Sequence, residues 1–245
     1  MSRVQSTALI LRVKPYGESD LLVDLLTEQI GRTSVLARGA LRTKKRYMGV
    51  LEPGTLVKID YVKKTGLSTL GPCDVLSSVW KARQNLDLLA NLYYVLEILR
   101  LATPTEEQDL TLFSAACHLI ELFESEDSIS IETMIAWELH CMKHLGYALR
   151  IHRCPYTQLP PDGLSLKAGG AISSQANRPY WPVSTPALRI LYQLQRGDLH
   201  CLFDHQDHAA LRSAFGGLWG DIIGQSLKSL SFFQKITHSH LSSLD

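Results

Sequence analysis

The residues with the clearest chemical potential lie between Gly31 and Arg46, in the segment GRTSVLARGALRTKKR. Its cations are Arg32, Arg38, Arg42, Lys44, Lys45 and Arg46, and no acid occurs between Gly31 and Val50. Lys14, which lies upstream in sequence, would join this group in space if its strand forms a hairpin. Such a cluster favours a polyanionic partner, because each cation that neutralises a phosphate releases a condensed counterion. The segment therefore predicts nucleic-acid or other polyanion binding, although a charged loop that only aids solubility would show the same pattern.

Few aromatic side chains accompany these cations in the first 80 residues. They are Tyr16, Tyr47, Tyr61 and Trp80. Stacking on aromatic rings gives many nucleic-acid-binding barrels their preference for unpaired bases. With few stacking groups, contacts to the sugar-phosphate backbone should dominate, and both single and double strands could bind with little sequence preference.

Charge is unevenly distributed along a chain whose net charge is only +1. Residues 1–80 carry 12 Lys and Arg against 7 Asp and Glu, whereas residues 81–150 carry 5 against 11. Residues 151–245 are again slightly basic, with 8 against 6. This block pattern predicts modules with separate partners.

The basic segment is embedded in a stretch with the period-two pattern of half-buried strands. In the first strand, for example, Thr7, Leu9, Leu11 and Val13 alternate with Ala8, Ile10, Arg12 and Lys14. Alternation and turn residues predict five strands, near 5–14, 20–28, 31–38, 55–63 and 67–77. Five strands in about 75 residues fit a small closed barrel such as the OB-fold, with an SH3-like barrel as the competing topology.

Helical periodicity replaces the strand pattern after Trp80. Apolar spacing predicts helices near 86–101, 110–122, 131–142, 185–196 and 206–236. Pro104, followed by Glu106, Glu107 and Asp109, predicts the beginning of the second helix. The proline- and glycine-rich stretch 152–183 predicts an irregular insert. The expected fold is α+β, with an OB-fold nucleic-acid-binding domain at 1–80 and a helical domain at 81–245.

The cysteines and histidines leave an enzymatic alternative open. Five irregularly spaced cysteines without an export signal indicate free thiols in a reducing cytoplasm, and no apolar run is long enough to span a membrane. No P-loop, G-x-S-x-G or H-E-x-x-H motif occurs, so catalysis has little support. The rival interpretations are an RNA-binding OB-fold module and a metal-dependent enzyme that uses residues from His140, His144, His152, Cys154, Cys201, His205 and His208.

The residues also resemble a known family, the bacterial recombination mediator RecO. The resemblance rests on Thr27, Gly31, Arg32 and the run Ala37-Arg38-Gly39-Ala40, then LGY at 145–147, the pair Gly169-Gly170 and LKSLSFF near the end. Each piece is weak alone, but they occur in order over nearly the whole chain.

This resemblance implies a non-catalytic DNA repair protein of the RecF pathway that needs no cofactor. Such a protein binds single- and double-stranded DNA, anneals complementary strands, and works with RecR and the C-terminal tail of SSB to load RecA. By the same resemblance, the DNA contacts are Arg32, Arg38, Arg42, Lys44, Lys45 and Arg46. Arg38 is expected to be structural as well, because it lies in a predicted strand.

The sequence departs from the family at its zinc site. Many members have four cysteines in two C-x-x-C pairs, but here only Cys154 remains, and Thr157, Ser173 and Ala176 stand at the other three positions. The expectation is a zinc-ribbon-derived insert without its metal ligands, held together by packing and hydrogen bonds, with Tyr156, Tyr180 and Trp181 as candidates.

A salt series tests the role assigned to the basic segment. Replacing Arg42, Lys44, Lys45 and Arg46 together with Ala should flatten the dependence of log affinity on log salt by about one unit per lost phosphate contact. Fluorescence anisotropy with DNA oligomers measures this slope. An unchanged slope would remove the segment from the interface.

Overall fold

The computed structural model describes residues 2–42, 47, 49–63 and 66–230. The described chain packs into two compact units, which divide between Ser128 and Ile129. The change from strands to helices occurs near residue 80, within the first unit. The domain boundary expected at residue 80 stays a prediction.

Five strands form a closed barrel at the beginning of the first unit. They are β1 Ser2–Tyr16, β2 Asp20–Thr27, β3 Gly31–Ala37, β4 Leu56–Lys63 and β5 Ser68–Ser77. Their order is β1-β2-β3-β5-β4, and β4 pairs with β1 to close the barrel. The β3–β5 pair is parallel, whereas the other pairs are antiparallel. The predicted strands are confirmed, and this topology is that of the OB-fold.

The alternation predicted for β1 does not continue along the whole strand, because the pairing with β2 is irregular between Ile10 and Arg12. Ile10 packs in the barrel core before this point, and Val13 packs against the same core after it. A bulge of this kind shifts the two-residue period by one position. Consequently Arg12, Lys14 and Tyr16, which would otherwise share the inward face of Ile10, lie on the outside.

Three helices follow the barrel in the described part of the first unit. They are α1 Trp80–Gln84, α2 Leu86–Ala102 and α3 Leu110–Ser125. The side chain of Asn85 caps α2, and the side chain of Asp109 caps α3 by accepting a hydrogen bond from the N–H of Leu112. The prediction that Pro104 begins the second helix is wrong, because the Asp109 cap stabilises a later beginning.

Residues 103–109 instead lie against the barrel. The N–H of Glu106 donates to the carbonyl oxygen of Arg32 (2.8 Å), and the side-chain amide of Gln108 donates to the carbonyl oxygen of Glu28 (3.0 Å). We call residues 103–109 the α2–α3 connection. It joins the barrel to the helices through the turn between β2 and β3.

The second unit combines three helices with a small sheet. The helices are α4 Ile131–His144, α5 Thr185–Gln195 and α6 His205–Ile223, and the strands are β6 Gly163–Ser165, β7 Gly170–Ile172 and β8 Trp181–Pro182. The stretch predicted as irregular therefore contains a three-stranded sheet, whose strands are too short to show a period-two pattern. The helix predicted near 206–236 ends at Ile223, with Gly224 in the left-handed region. Residues 231–236 of that prediction lie outside the described residues.

A buried polar contact joins α4 to α6 in the core of the second unit. The carboxylate of Glu138 is fully buried and accepts hydrogen bonds from the indole nitrogen of Trp219 (2.8 Å) and from the guanidinium of Arg212 (3.2 Å). A buried charge is tolerated when it is paired and hydrogen-bonded in this way.

Gly31 and Gly17 form a matched pair for testing the fit of the α2–α3 connection. Both have a positive φ, but a Cβ at Gly31 would lie 1.8 Å from the carbonyl oxygen of Glu107, whereas a Cβ at Gly17 meets nothing within 4 Å. Gly17→Ala should cost about 1–2 kcal/mol in the free energy of unfolding from backbone strain alone, and Gly31→Ala about 2–5 kcal/mol because overpacking adds to it. Urea unfolding measures both, and equal losses would contradict the close contact.

Candidate nucleic-acid interface

Exposed cations gather at one end of the outer face formed by β1, β2 and β3. Tyr16 pairs with Asp20 across the first hairpin, and Leu21 pairs with Ala37 across the second, so Arg38 continues the same row. Lys14 lies on the same outer face, two residues before Tyr16 on β1. We give the name basic edge to five exposed residues at this end: Lys14, Tyr16, Arg38, Leu41 and Arg42. The β1–β2 turn at the same end also exposes the acid Glu18. The hairpin expected to bring Lys14 to the basic segment is confirmed.

Asp20 connects the turn that carries Arg38 and Arg42 to the β1–β2 turn. Its carboxylate accepts hydrogen bonds from the N–H of Gly39 (2.8 Å) and the hydroxyl of Ser19 (3.0 Å). The Gly39 N–H, then the Ser19 hydroxyl, lower the pKa of Asp20, and the charges of Arg38 and Arg42 add to this against the opposing effect of burial. The carboxylate is therefore ionised at neutral pH and holds the cations in place.

The guanidinium of Arg32 donates hydrogen bonds within the protein. Its Nε donates to the carbonyl oxygen of Thr103 (2.7 Å), and its Nη2 donates to the hydroxyl of Thr105 (2.5 Å). We call these two hydrogen bonds the Arg32 contact. Arg38, expected to be partly structural, follows the last residue of β3 and is exposed. The structural role expected for Arg38 therefore belongs to Arg32.

The remaining predicted contacts, Lys44, Lys45 and Arg46, lie outside the described residues. Tyr47, which follows them in sequence, is buried in the barrel core. Its hydroxyl donates to the carbonyl oxygen of Leu70 (3.1 Å). Residues 43–46 are thus followed in sequence by a buried residue, Tyr47, and preceded by the turn that Asp20 anchors.

Sequence reasoning missed a group of charges next to the basic edge. Two guanidinium nitrogens of Arg12 donate to the buried carboxylate of Asp24, each at 2.8 Å, and the hydroxyl of Ser34 donates to its other oxygen (2.7 Å). Burial, followed by the charge of Arg12, lowers the pKa of Arg100 from α2, while Asp24 opposes this. These residues are far apart in sequence, so only the register of the sheet and the packing of α2 bring them together.

The four positions at which the resemblance places zinc ligands, residues 154, 157, 173 and 176, lie together in the second unit. Cys154 is buried with Ala168 and Ile172, and Ala176 packs against this cluster. Burial raises the pKa of the Cys154 thiol, but hydrogen bonds from the Thr157 side chain and from the backbone N–H groups of Ser173, Tyr156 and Thr157 outweigh it and lower the pKa to about 7. Hydrogen bonding and packing therefore occupy the place of a metal.

This donor set does not fit zinc, which takes four thiolate or imidazole ligands in structural sites. Only Cys154 supplies such a ligand among the four positions. Within the described residues, no group of three or more His, Cys, Asp and Glu side chains could hold a metal ion. The histidines of the enzymatic alternative form separate pairs, with ring centroids 4.5 Å apart for His140 and His144 and 4.8 Å apart for His205 and His208.

The closed five-stranded barrel defines the class to which the protein belongs, the OB-fold proteins. Residues 1–79 match the family described as "Recombination protein O N terminal", and residues 83–230 match "Recombination protein O C terminal". The chain belongs to the RecO family of DNA repair and recombination proteins. The resemblance seen in the sequence is confirmed.

Curated relatives support this membership. The chain is 31% identical over 155 residues to the DNA repair protein RecO of Myxococcus xanthus, covering 63% of each protein. It is 30% identical over 149 residues to that of Rhodopirellula baltica, covering 60% of this chain and 55% of the relative. These two matches span less than two thirds of the relatives' length. The relative from Geobacter sulfurreducens is 26% identical over 243 residues, 97% of this chain and 100% of its own.

The helices offer no membrane span. Within the part of the chain that the structure describes, none is both long enough and apolar enough to cross a bilayer.

Single substitutions separate the roles of Arg32 and Arg38. Arg32→Ala should lower the free energy of unfolding by about 1–3 kcal/mol, because two hydrogen bonds from a charged group are lost. Arg38→Ala should change it by less than about 0.5 kcal/mol, because an exposed side chain is removed. Urea denaturation measures both, and a larger loss for Arg38→Ala than for Arg32→Ala would contradict these assignments.

Proposed function

We propose that this protein binds single- and double-stranded DNA through the basic edge and the adjoining segment 43–46, and that it acts as a recombination mediator without catalysing a covalent reaction. The observation that carries this proposal is the exposure of Lys14, Arg38 and Arg42 together at one end of an OB-fold sheet. Membership in a family of DNA repair proteins supports DNA as the polyanion.

Strand annealing would follow from the neutralisation of phosphates. Two complementary strands repel each other, and cations that contact both backbones lower this repulsion so that the bases can pair. Contacts to phosphates position a strand but carry no sequence information, so annealing would proceed on any complementary pair. The rigid support given by Asp20 and by the barrel keeps the cations at fixed spacing.

The proposed partners are RecR and the C-terminal tail of SSB, with the loading of RecA onto SSB-coated DNA as the outcome. These partners rest on the family resemblance. An SSB tail is acidic with an apolar end, so its site needs basic and apolar side chains together.

An annealing assay tests the proposal. The variant Lys14→Ala/Arg38→Ala/Arg42→Ala should anneal complementary SSB-coated oligonucleotides at least about tenfold more slowly, and its salt slope should fall by about two to three units because up to three phosphate contacts are lost. Gel separation of labelled duplex measures the rate, and anisotropy measures the slope.

A charge-matched control uses Arg153→Ala/Lys167→Ala/Arg189→Ala, which removes three exposed cations from the second unit. This variant should anneal as fast as the wild type. An RNA oligomer serves as a further arm, since much tighter binding to RNA than to DNA would favour the RNA-binding alternative. Equal annealing by both variants would show that the basic edge is not the interface.

A further inference from the structure

Tyr16 is an exposed aromatic side chain at the basic edge. It is the last residue of β1, and 47% of its surface is accessible to solvent. Its register partner is Asp20, and Arg38 lies beyond Asp20 in the same row. Neighbouring strands lie about 4.8 Å apart, so the backbone of Arg38 is about 10 Å from that of Tyr16.

The barrel places this ring outside for a definite reason. The irregular pairing between Ile10 and Arg12 shifts the alternation of β1, and Val13 then packs against the core while Lys14 and Tyr16 are exposed. Lys14 lies two residues from Tyr16 on the same strand, and Arg38 lies across the sheet beyond Asp20, the register partner of Tyr16. Exposing an aromatic ring to water costs free energy that burial would recover.

A ring beside phosphate-binding cations can recognise the part of a nucleic acid that a duplex hides. In a duplex both faces of each base are covered by neighbouring base pairs. In a single strand the face of a base is free to stack on an aromatic side chain, and such stacking is sequence-tolerant because every base has a π-face. Lys14 and Arg38 would hold the phosphates on either side of the stacked nucleotide.

We infer that Tyr16 stacks on an unpaired base and gives the basic edge a preference for single-stranded DNA. This inference rests on the proposed function, because it assumes that the basic edge holds the backbone. It differs from the expectation drawn from the sequence, that few aromatic residues mean little strand preference. One exposed ring in the same row as Arg38 is enough to produce such a preference. Tyr47 and Tyr61 are buried and cannot stack on a base.

Paired binding measurements test the inference. Tyr16→Ala should weaken binding of a single-stranded oligonucleotide by about 5- to 100-fold, while binding of the matching duplex changes by less than about twofold. Tyr16→Phe, which keeps the ring, should bind both as the wild type does. The salt slope should stay unchanged in both variants, because no cation is removed.

A base analogue gives an independent signal. 2-Aminopurine placed in the single strand loses fluorescence when it stacks, so the wild type and Tyr16→Phe should alter its emission more than Tyr16→Ala does. The control is Tyr147→Ala, which removes a comparably exposed tyrosine (40%) from the second unit. It should leave all of these values unchanged.

The possible results distinguish a failure of the proposed function from a failure of the inference about Tyr16. If the wild type binds neither single strand nor duplex, the proposed function fails. If the wild type binds DNA and Tyr16→Ala retains full single-strand affinity, the inference about Tyr16 is overturned while the proposed function stands. If Tyr16→Ala weakens single-strand and duplex binding equally, the ring supports the edge and does not stack, which also overturns the inference.

Discussion

The arrangement of the first unit depends on the Arg32 contact. The guanidinium at the beginning of β3 holds Thr103 and Thr105, and so keeps the α2–α3 connection against the barrel. The helix before this connection, α2, packs on β1 and β2. The outer face of the sheet is thereby divided into an end that meets a helix and an end that faces solvent. A planar guanidinium suits this role because its N–H groups can donate in two directions at fixed geometry.

At the end of the sheet that faces solvent, the acid Asp20 positions the cations. Asp20 accepts the N–H of Gly39 and so fixes the turn that carries Arg38 and Arg42. A carboxylate next to cations weakens the positive electrostatic potential around them. It also stabilises the turn that carries them. The buried acid of this face, Asp24, accepts hydrogen bonds from Arg12 and Ser34. Among the described residues, Asp24 in the middle of the sheet is paired with Arg12, whereas Lys14, Arg38 and Arg42 are exposed at the basic edge.

The second unit holds Cys154 by hydrogen bonds and packing. Its sulfur receives hydrogen bonds from the Thr157 side chain and from backbone N–H groups, including that of Ser173. Such donors stabilise the thiolate, as a cation would, and Ala176 contributes packing. The three short strands β6, β7 and β8 pair in one sheet and order this part of the second unit.

Local patterns in the sequence determined the strands, the main helices, the family and the richness in cations of residues 31–46, because period, turn residues and motifs are properties of neighbouring residues. Tertiary structure alone decided which cations are available. Arg32 and Arg38 are both arginines of one short segment, yet one is held by residues more than 70 positions away and the other is exposed. The sequence could not show this, nor the shift that turns Tyr16 outward, because both depend on pairing between distant segments.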